Sequence, residues 1–402
     1  MSGRNLPLAA RNLFRVVVNR VAKIYRAGTR RLRRASKSMR ESGKHSRAQA
    51  RGAVAAGRDA TQHAYTGLVR TSRYWDRVRA RTVPKLRREL SVRGELRRLS
   101  RADVPILVGP WLSEVGYEVL YWVPFVRWFA KQYGVAPGRM VAVSRGGVAG
   151  WYGDVAHRYV ELFDLIAPEE FAARNAERQR GVDQKQHGRA SFDDELLDRV
   201  RRCPGLGDAV VCHPSTMFRL LRQFWLGNDS LEYLLEYTRY ASVAAAPVPL
   251  PDLPPRFTAM KFYTGRALPD TAQNRDVLRS IVQGIAARGP VVLLDTGLAL
   301  DEHEDYLFDG IGDVVRLGPH LTPHTNLGVQ TEVIRRAERF VGTCGSLAWL
   351  APMLGTETLA IYEDDHLLTS HLYAARHAFT TMGAAPFAAL DLRALALLPD
   401  RP

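Results

Sequence analysis

The segment Gly342–Ser346, with the sequence Gly-Thr-Cys-Gly-Ser, has the composition of a phosphate-binding turn. It follows a short apolar strand predicted at Phe340–Gly342 and precedes a helix predicted at Ser346–Leu354. Glycines expose backbone N–H groups, and the N-terminus of a helix favours an anion. The competing interpretation is a tight turn that only lets strand and helix pack. The expected site residues here are Gly342, Thr343, Gly345 and Ser346.

Two cations lie near another strand end. A strand is predicted at Phe257–Tyr263. Lys261 lies near its carboxyl end, and Arg266 follows shortly after it. A cation at the carboxyl end of a strand can meet a phosphate. The plain alternative is a pair of solvated charges.

Three residues are candidates for a general base. Glu114 lies in a loop after a strand predicted at Val104–Gly109, and Glu118 follows one helical turn later. A carboxylate in a cleft can take a proton from an attacking hydroxyl, and Glu118 could orient Glu114 or replace it. Glu118 could equally offset a helix dipole. His213 follows a predicted strand and is the third candidate, with a structural hydrogen bond at a His-Pro corner as its alternative.

Two acidic segments mimic metal sites. Asp301–Asp305 has the pattern of a solvated helix start, and Glu363–Asp365 that of a polar strand exit. No resident metal and no cofactor is therefore expected. The sequence contains no Gly-x-Gly-x-x-Gly or Walker pattern, so it does not indicate nicotinamide or P-loop chemistry.

The elements that must position these residues alternate between strand and helix from residue 104 onward. This alternation occurs on both sides of a segment, 244–255, that carries five prolines and cannot be helical. The pattern predicts an α/β protein with two doubly wound Rossmann-like domains facing a cleft. The predicted parts are a basic, partly helical or disordered extension at 1–101, an α/β domain at 102–245, a Pro-rich linker at 246–256 and a second α/β domain at 257–402. Helices are expected near 155–166, 168–180 and 193–202, among others.

The charge is divided unevenly along the 402 residues. Residues 1–101 hold 28 Lys and Arg against five Asp and Glu, whereas residues 102–402 hold 29 against 36. The overall charge of +16 therefore describes a basic extension on a mildly acidic body, which does not make the whole chain a nucleic-acid binder. The chain has three cysteines and no Cys-x-x-Cys pair, which favours a reducing compartment.

The extension begins with an amphipathic cationic helix predicted at Phe14–Tyr25, followed by a run of arginines and lysines. This pattern is typical of a segment lying on an anionic membrane surface. A solvated leader without a partner fits equally well, and nucleic acid or a transit peptide is less favoured. The expected partner of residues 1–50 is a membrane surface, and the expected location is the cytoplasm, at the inner face of the cell membrane.

Several segments resemble GT-B glycosyltransferases of the bacterial surface-polysaccharide type, and together they span about residues 104–380. In that family a Gly/Ser/Thr turn opens a helix beside the diphosphate of a nucleotide sugar. The Asp-Thr-Gly-Leu pattern of heptosyltransferases is not matched, because Thr343–Ser346 stands there, which leaves the donor sugar open. The segments that carry the resemblance are Gln330–Pro352, Thr356–Tyr362, Lys261–Tyr263, Pro269–Thr271, Asn274–Arg275 and Gly109–Glu118.

The resemblance implies a glycosyltransferase that moves a sugar from a nucleotide-sugar donor to a cell-surface glycan or lipid-linked acceptor, with residues 102–245 as the acceptor-side domain and residues 257–402 as the donor-side domain. No metal is expected to take part. Inversion at the anomeric carbon is favoured over retention, and both stay open. It adds Tyr263, Gln330 and Glu332 to the donor-binding residues, and it implies that Glu332 takes the ribose hydroxyls. Gln330 and Glu332 are otherwise surface residues of a helix. Two alternatives stay open: a pyruvyl-type transferase of the same architecture, and a non-catalytic protein that binds a glycan or a nucleotide.

Overall fold

The computed structural model describes residues 82–181, 185–298, 304–366 and 368–395. The predicted membrane-binding segment, residues 1–50, lies outside the described residues, as do 301–303 of the first acidic segment. Residues 82–101 are helical, as predicted for the end of the extension. The chain divides after Gly94, and the unit Glu95–Pro402 contains both sheets described below.

The first half of this unit is a four-stranded parallel sheet with helices. Its strands are β1 (Ile106–Val108), β2 (Met140–Ser144), β3 (Arg158–Glu161) and β4 (Val210–Cys212). Its helices are α1 (Val115–Tyr117), a π-helical turn at Glu118–Trp122, α2 (Val123–Tyr133), α3 (Pro168–Gly181), α4 (Ser191–Arg201), α5 (Pro214–Trp225) and α6 (Leu231–Glu236).

The order of this sheet is β3-β2-β1-β4, and every pair is parallel. Strands β1 and β2 are buried along their whole length, as expected for central strands covered on both faces. The helix predicted near 155–166 is wrong. Residues Arg158–Glu161 instead form strand β3, because they pair in register with Val141–Ser144 of β2.

The second half is a six-stranded parallel sheet. Its strands are β5 (Thr258–Lys261), β6 (Val291–Leu293), β7 (Val314–Arg316), β8 (Arg339–Thr343), β9 (Glu357–Tyr362) and β10 (Phe387–Asp391). Its helices are α7 (Ala272–Ala286), α8 (Asn326–Arg336), α9 (Ser346–Met353), α10 (Thr369–Met382) and α11 (Leu392–Leu395). The order is β10-β9-β8-β5-β6-β7.

Each sheet has its own apolar core. In the first half, residues of β1 and β2 pack with helices α3 and α4, and in the second half, residues of β5, β6 and β8 pack with helix α7. Residues 237–257, which include the Pro-rich segment, form neither helix nor strand. The structure thus has two parallel α/β halves joined by an irregular segment, consistent with two Rossmann-like domains. None of the described helices is long and apolar enough to cross a membrane.

Both sheets reverse their winding direction once. The chain runs from β1 outward to β3 and then returns to β4 on the other side of β1. In the same way it runs from β5 to β7 and returns to β8 on the other side of β5. In open α/β sheets, ligands bind beyond the carboxyl ends of the strands at this switch point. The loops after β1, β5 and β8 are therefore the places where a site is expected.

Candidate functional site

One cavity of about 750 Å³ lies at the carboxyl ends of the strands of both sheets. The loops that follow β1, β2, β5, β6, β8 and β9 all contribute to its lining, together with residues of α3, α5, α8 and α10. Both switch points therefore open into the same cavity. Its size is in the range of small-molecule sites.

The turn between β8 and α9 forms part of the second-half wall, as its sequence suggested. Gly345 has a φ of +141° and Ser346 a φ of +34°, so two consecutive residues adopt backbone conformations that are rare for residues with a side chain. A Cβ on Gly345 would lie 2.7 Å from the hydroxyl oxygen of Tyr263. Helix α9 starts at Ser346, and the first N–H groups of a helix have no partner within it. The turn thus brings the start of α9 to the cavity wall, and glycine is strongly favoured at position 345.

Thr343 joins the two switch-point loops of the second sheet. Its hydroxyl oxygen accepts a hydrogen bond from the Tyr263 N–H at 2.9 Å and lies 3.1 Å from the Tyr263 carbonyl, to which it donates. Tyr263 and Thr343 both line the cavity. The Thr343 hydroxyl thus holds the wall together, which is a different role from the ligand contact expected from the sequence.

Gly342 does not line the cavity. It lies inside β8, where a Cβ would come within 2.4 Å of the Lys261 carbonyl oxygen on the neighbouring strand. Its expected role in donor binding is corrected to one of packing, since only glycine fits between these two strands.

The two expected phosphate-binding cations differ in their surroundings. The Lys261 ammonium forms an ion pair of 2.6 Å with Asp305 and donates to the Leu294 carbonyl at 2.9 Å. Arg266 is exposed, lines the cavity and has no ion pair among the described residues. Arg266 is therefore the cation available to an anionic ligand, whereas Asp305 already balances the charge of Lys261.

Gln330 and Glu332, the next two expected donor-binding residues, both lie on helix α8 but on different faces of it. Gln330 is 1% exposed and lines the cavity, and its carbonyl oxygen Oε1 has no hydrogen-bond partner among the described residues. Glu332 does not line the cavity. Arg335 and Arg336 both donate hydrogen bonds to the Glu332 carboxylate. These hydrogen bonds lower the pKa of Glu332, and the one from Arg335 has the larger effect. The expected ribose contact of Glu332 is therefore corrected, because two residues along a helix point to different faces.

Glu114 is the expected base that the structure places in the cavity. It is half-buried, it directly precedes α1, and its carboxylate makes no hydrogen bond or ion pair with any described residue. Two residues later, a Cβ on Gly116 would lie 2.9 Å from the Ser346 nitrogen. The loop that carries Glu114 therefore packs directly against the turn at the start of α9.

Glu118 is completely buried and does not line the cavity. Ser144 and Tyr152 each donate to its Oε1 at 2.6 Å. Burial raises its pKa to about 7, although these two hydrogen bonds oppose the rise. The expectation that Glu118 orients or replaces Glu114 is corrected, because it lies in the π-helical turn with its side chain toward the interior.

His213 is also buried and away from the cavity. One ring nitrogen lies 2.9 Å from the Ser215 hydroxyl, and the other lies 3.2 Å from Asp193. The Ser215 N–H donates to the first nitrogen at the start of α5. The alternative of a structural hydrogen bond at the His-Pro corner is thus the one observed, and the role of base is corrected.

Three cavity residues without a motif, Tyr117, Lys185 and His371, form a cluster with the buried Tyr121 that joins the two halves. The Tyr117 hydroxyl lies 3.2 Å from His371 Nε2, and the Tyr121 hydroxyl lies 2.6 Å from His371 Nδ1. The ammonium of Lys185 lies 4.0 Å from the centre of the Tyr117 ring. Burial, with the charge of Lys185, lowers the pKa of His371 well below its usual value. No local signal could have indicated His371, because it reaches the cavity only through the packing of α10.

No group of three or more metal-ligating side chains occurs in the part of the chain that the structure describes. In the second acidic segment, Asp364 lines the cavity, whereas Glu363 accepts a hydrogen bond from Asn274 and Asp365 pairs with Arg393. These three side chains therefore have separate surroundings.

No family model matches this sequence, and no curated protein matches it. Among solved structures, the chain is similar to a glycosyl transferase family 9 protein from Veillonella parvula, with 9% identity over 74% of this chain and 89% of that chain and a TM-score of 0.42.

Two further similar structures are of TibC from enterotoxigenic Escherichia coli, described as a bacterial iron-containing dodecameric glycosyltransferase. The first has 13% identity over 65% of this chain and 59% of that chain, with a TM-score of 0.35. The second, a heptosyltransferase in complex with ADP-D-β-D-heptose, has 14% identity, 66% and 60% coverage, and a TM-score of 0.33. The match thus spans about three-fifths of the TibC chain. Because all TM-scores are below 0.5, the architecture stated above rests on the sheet topology.

Proposed function

We propose that this protein is a glycosyltransferase that moves a sugar from a nucleotide-sugar donor to a hydroxyl group of an acceptor. The observation that carries the proposal is the cavity shared by both switch points, in which the turn Thr343–Ser346 lies directly against the segment that follows Glu114. In such an arrangement, a diphosphate bound by the turn on one half would lie beside a carboxylate on the other.

The second half would bind the donor. Backbone N–H groups at the start of α9 and the exposed guanidinium of Arg266 supply hydrogen bonds and positive charge for a diphosphate. The unpartnered Oε1 of Gln330 is an acceptor that suits a ribose or sugar hydroxyl. These groups would stabilise the negative charge that develops on the leaving diphosphate.

The first half would hold the acceptor, with Glu114 as the general base. The carboxylate takes the proton of the acceptor hydroxyl while its oxygen forms a bond to the anomeric carbon. The bond from that carbon to the diphosphate breaks, and the nucleoside diphosphate leaves with the electron pair. A direct displacement of this kind inverts the configuration at the anomeric carbon.

The proposal has two further parts. The acceptor is a cell-surface glycan or a lipid-linked precursor, and residues 1–50 attach the protein to the inner face of the cell membrane. The basic composition of residues 1–101 supports the second part. Attachment to the membrane predicts that the acceptor is presented at the same membrane surface.

The proposal is tested by incubating the purified chain with UDP-, GDP-, ADP- and CMP-linked sugars and measuring release of the nucleotide and the rise in melting temperature. We expect at least one donor to raise the melting temperature and to be turned over. A donor that raises the melting temperature without turnover would favour the non-catalytic alternative. Turnover of phosphoenolpyruvate in place of every nucleotide sugar would favour the pyruvyl-type transferase.

The base is tested with Glu114→Gln. This variant should keep the affinity for the nucleoside diphosphate and lose roughly 10²- to 10⁴-fold in turnover, which is the usual contribution of a general base. Glu169→Gln is the matched control, since Glu169 is exposed on α3 and does not line the cavity. Full turnover by Glu114→Gln would assign the proton transfer to another group.

A further inference from the structure

Arg145 is a buried cation in the wall of the cavity. It follows β2 directly, is 5% exposed and belongs to the lining of the first half. Its guanidinium donates to the carbonyl oxygens of Trp111 and Ser113, each at 3.0 Å, and lies 5.6 Å from the centre of the Phe171 ring. These contacts hold the side chain in place but do not neutralise its charge.

A second buried arginine, Arg127, has a carboxylate counterion and therefore serves as a comparison for Arg145. Arg127 is 4% exposed and also donates to two backbone carbonyls, those of Ala241 and Ser242. It differs in forming an ion pair of 2.8 Å with Asp154, and it does not line the cavity. No carboxylate lies within ion-pair distance of Arg145 among the described residues. A buried charge without a counterion destabilises the folded protein. The difference between Arg127 and Arg145 therefore indicates that Arg145 binds an anion.

The two acidic groups in the neighbourhood of Arg145 are engaged elsewhere. Both oxygens of the Glu161 carboxylate accept hydrogen bonds from the N–H groups of Gly146 and Gly147. Glu118 receives hydrogen bonds from Ser144 and Tyr152, and it lies beyond ion-pair distance of Arg145. Burial raises the pKa of Glu118 to about 7 and outweighs the charge of Arg145, which favours the ionised form. Neither group supplies the missing ion pair.

Ser113 provides an independent observation in the same wall. It is 3% exposed and lines the cavity, and its hydroxyl has no hydrogen-bond partner among the described residues. Its own carbonyl accepts from Arg145, so the two residues are neighbours. A buried hydroxyl without a hydrogen-bond partner is rare, and it favours a ligand that accepts a hydrogen bond from it.

The charged residues that the described part of the first half contributes to the lining are three cations and one acid. They are Arg145, Lys185, Arg222 and Glu114. The acceptor side is therefore electropositive around the proposed base.

We propose that Arg145 and Ser113 form an anion subsite that takes a phosphate or carboxylate group of the acceptor. This inference rests on the proposed function in assigning the first half to the acceptor. A planar guanidinium fits both groups, because each offers two oxygens at matching spacing. The Ser113 hydroxyl supplies a further donor. The acceptor class is thus an anionic sugar, either a sugar phosphate or a uronic acid.

The test measures three probe sugars by calorimetry: methyl glucoside, glucose 6-phosphate and glucuronate. Each is titrated into the wild-type chain with and without a saturating nucleoside diphosphate. We expect one of the anionic probes to bind roughly 10- to 100-fold more tightly than methyl glucoside, the range for hydrogen bonds to a charged group. The better of the two anionic probes identifies phosphate or carboxylate as the group recognised.

Three variants decide the assignment. Arg145→Gln should reduce the anionic probe to the affinity of the neutral one, while its nucleoside diphosphate affinity stays within about twofold of wild type. Ser113→Ala should lose part of the preference, and Arg127→Gln should keep all of it. If Arg145→Gln does not fold, Arg145→Lys and Ser113→Ala carry the test, because they change the buried side chains less. Arg145→Lys should lose part of the preference, since an ammonium group lacks the planar pair of donors of a guanidinium.

The outcomes separate the two proposals. Equal binding of the anionic and neutral probes, or a preference that survives Arg145→Gln, would overturn the subsite and leave nucleotide binding untouched. Weaker nucleotide binding in Arg145→Gln, with competition between nucleotide and probe, would also overturn it and assign Arg145 to the donor. An Arg145-dependent preference in a chain that binds no nucleotide would uphold the anion subsite and contradict the glycosyltransferase.

Discussion

Substitution of Gly345 by alanine tests whether the turn between β8 and α9 binds the diphosphate. Gly345 has φ +141° and ψ −167°, a region of the backbone map that is almost exclusive to glycine. Holding another residue there costs on the order of 1–3 kcal/mol. The new Cβ would also lie 2.7 Å from the Tyr263 hydroxyl oxygen, closer than a Cβ contact normally comes, so either Tyr263 or the turn must move.

We expect Gly345→Ala to lower the free energy of unfolding by about 1–3 kcal/mol and to weaken nucleoside diphosphate binding roughly tenfold or more. A tenfold loss corresponds to about 1.4 kcal/mol. The affinity falls because a turn that relaxes to accommodate alanine displaces the N–H groups at the start of α9. Denaturant unfolding gives the stability, and calorimetry with the nucleoside diphosphate gives the affinity.

Gly355→Ala is the matched control. Gly355 also has a positive φ, +89°, but a Cβ there would meet no atom within 4 Å, and the residue does not line the cavity. It should lose stability to a similar extent and keep the wild-type affinity. The double variant Gly345→Ala with Tyr263→Phe separates the two causes, since it removes the contact with the hydroxyl but leaves the strained φ. Unchanged nucleotide affinity in Gly345→Ala would refute the assignment of the turn as the diphosphate site.

Three further predictions concern protonation, metal and membrane. Because burial raises the pKa of Glu118 from 4.5 to about 7, the folded state keeps this proton longer than the unfolded state, and stability should fall by about 3 kcal/mol as the pH rises through this window. Glu118→Gln should remove that part of the pH dependence, as measured by urea unfolding at pH 5 and pH 8; the same slope in the variant would place the titration elsewhere. Turnover should persist in excess EDTA, because Arg266 and the backbone of the turn meet the charge of the leaving group; loss of activity that manganese restores would point to Asp364 as a ligand. Deletion of residues 1–50 should release the chain from acidic liposomes and leave turnover on a soluble acceptor unchanged, and salt should weaken liposome binding, since the Debye length falls from about 10 Å at 0.1 M to about 3 Å at 1 M. Equal liposome binding by both chains would contradict a membrane role for this segment.

Much of the architecture could be predicted from the sequence because the signals for it are local. Short apolar runs predicted strands at Val104–Gly109, Phe257–Tyr263 and Phe340–Gly342, and the structure has strands β1, β5 and β8 there. The Pro-rich segment predicted the irregular connection between the halves. The Gly/Ser turn before α9 could be recognised because positive φ angles select for glycine. Strand β3 was missed because it is an edge strand with one fully buried residue, so its apolar pattern is weak.

Which polar residues reach the cavity was decided by tertiary packing. Glu114 and Glu118 have the same side chain and lie four residues apart, yet the first lines the cavity and the second is buried beneath it, bonded to Ser144 and Tyr152 of distant segments. Lys261 has the expected position but is paired with Asp305, which the chain brings back 44 residues later.

Arg145 illustrates the physical reason for this division. Its position after a buried strand is local information and was visible in the sequence. That no described carboxylate pairs with it depends on where each of those carboxylates is placed, and that is a property of the folded structure. Local patterns of glycine, proline and apolar residues thus determined the strands and the turn, whereas burial and charge pairing between distant segments determined which side chains can act in the cavity.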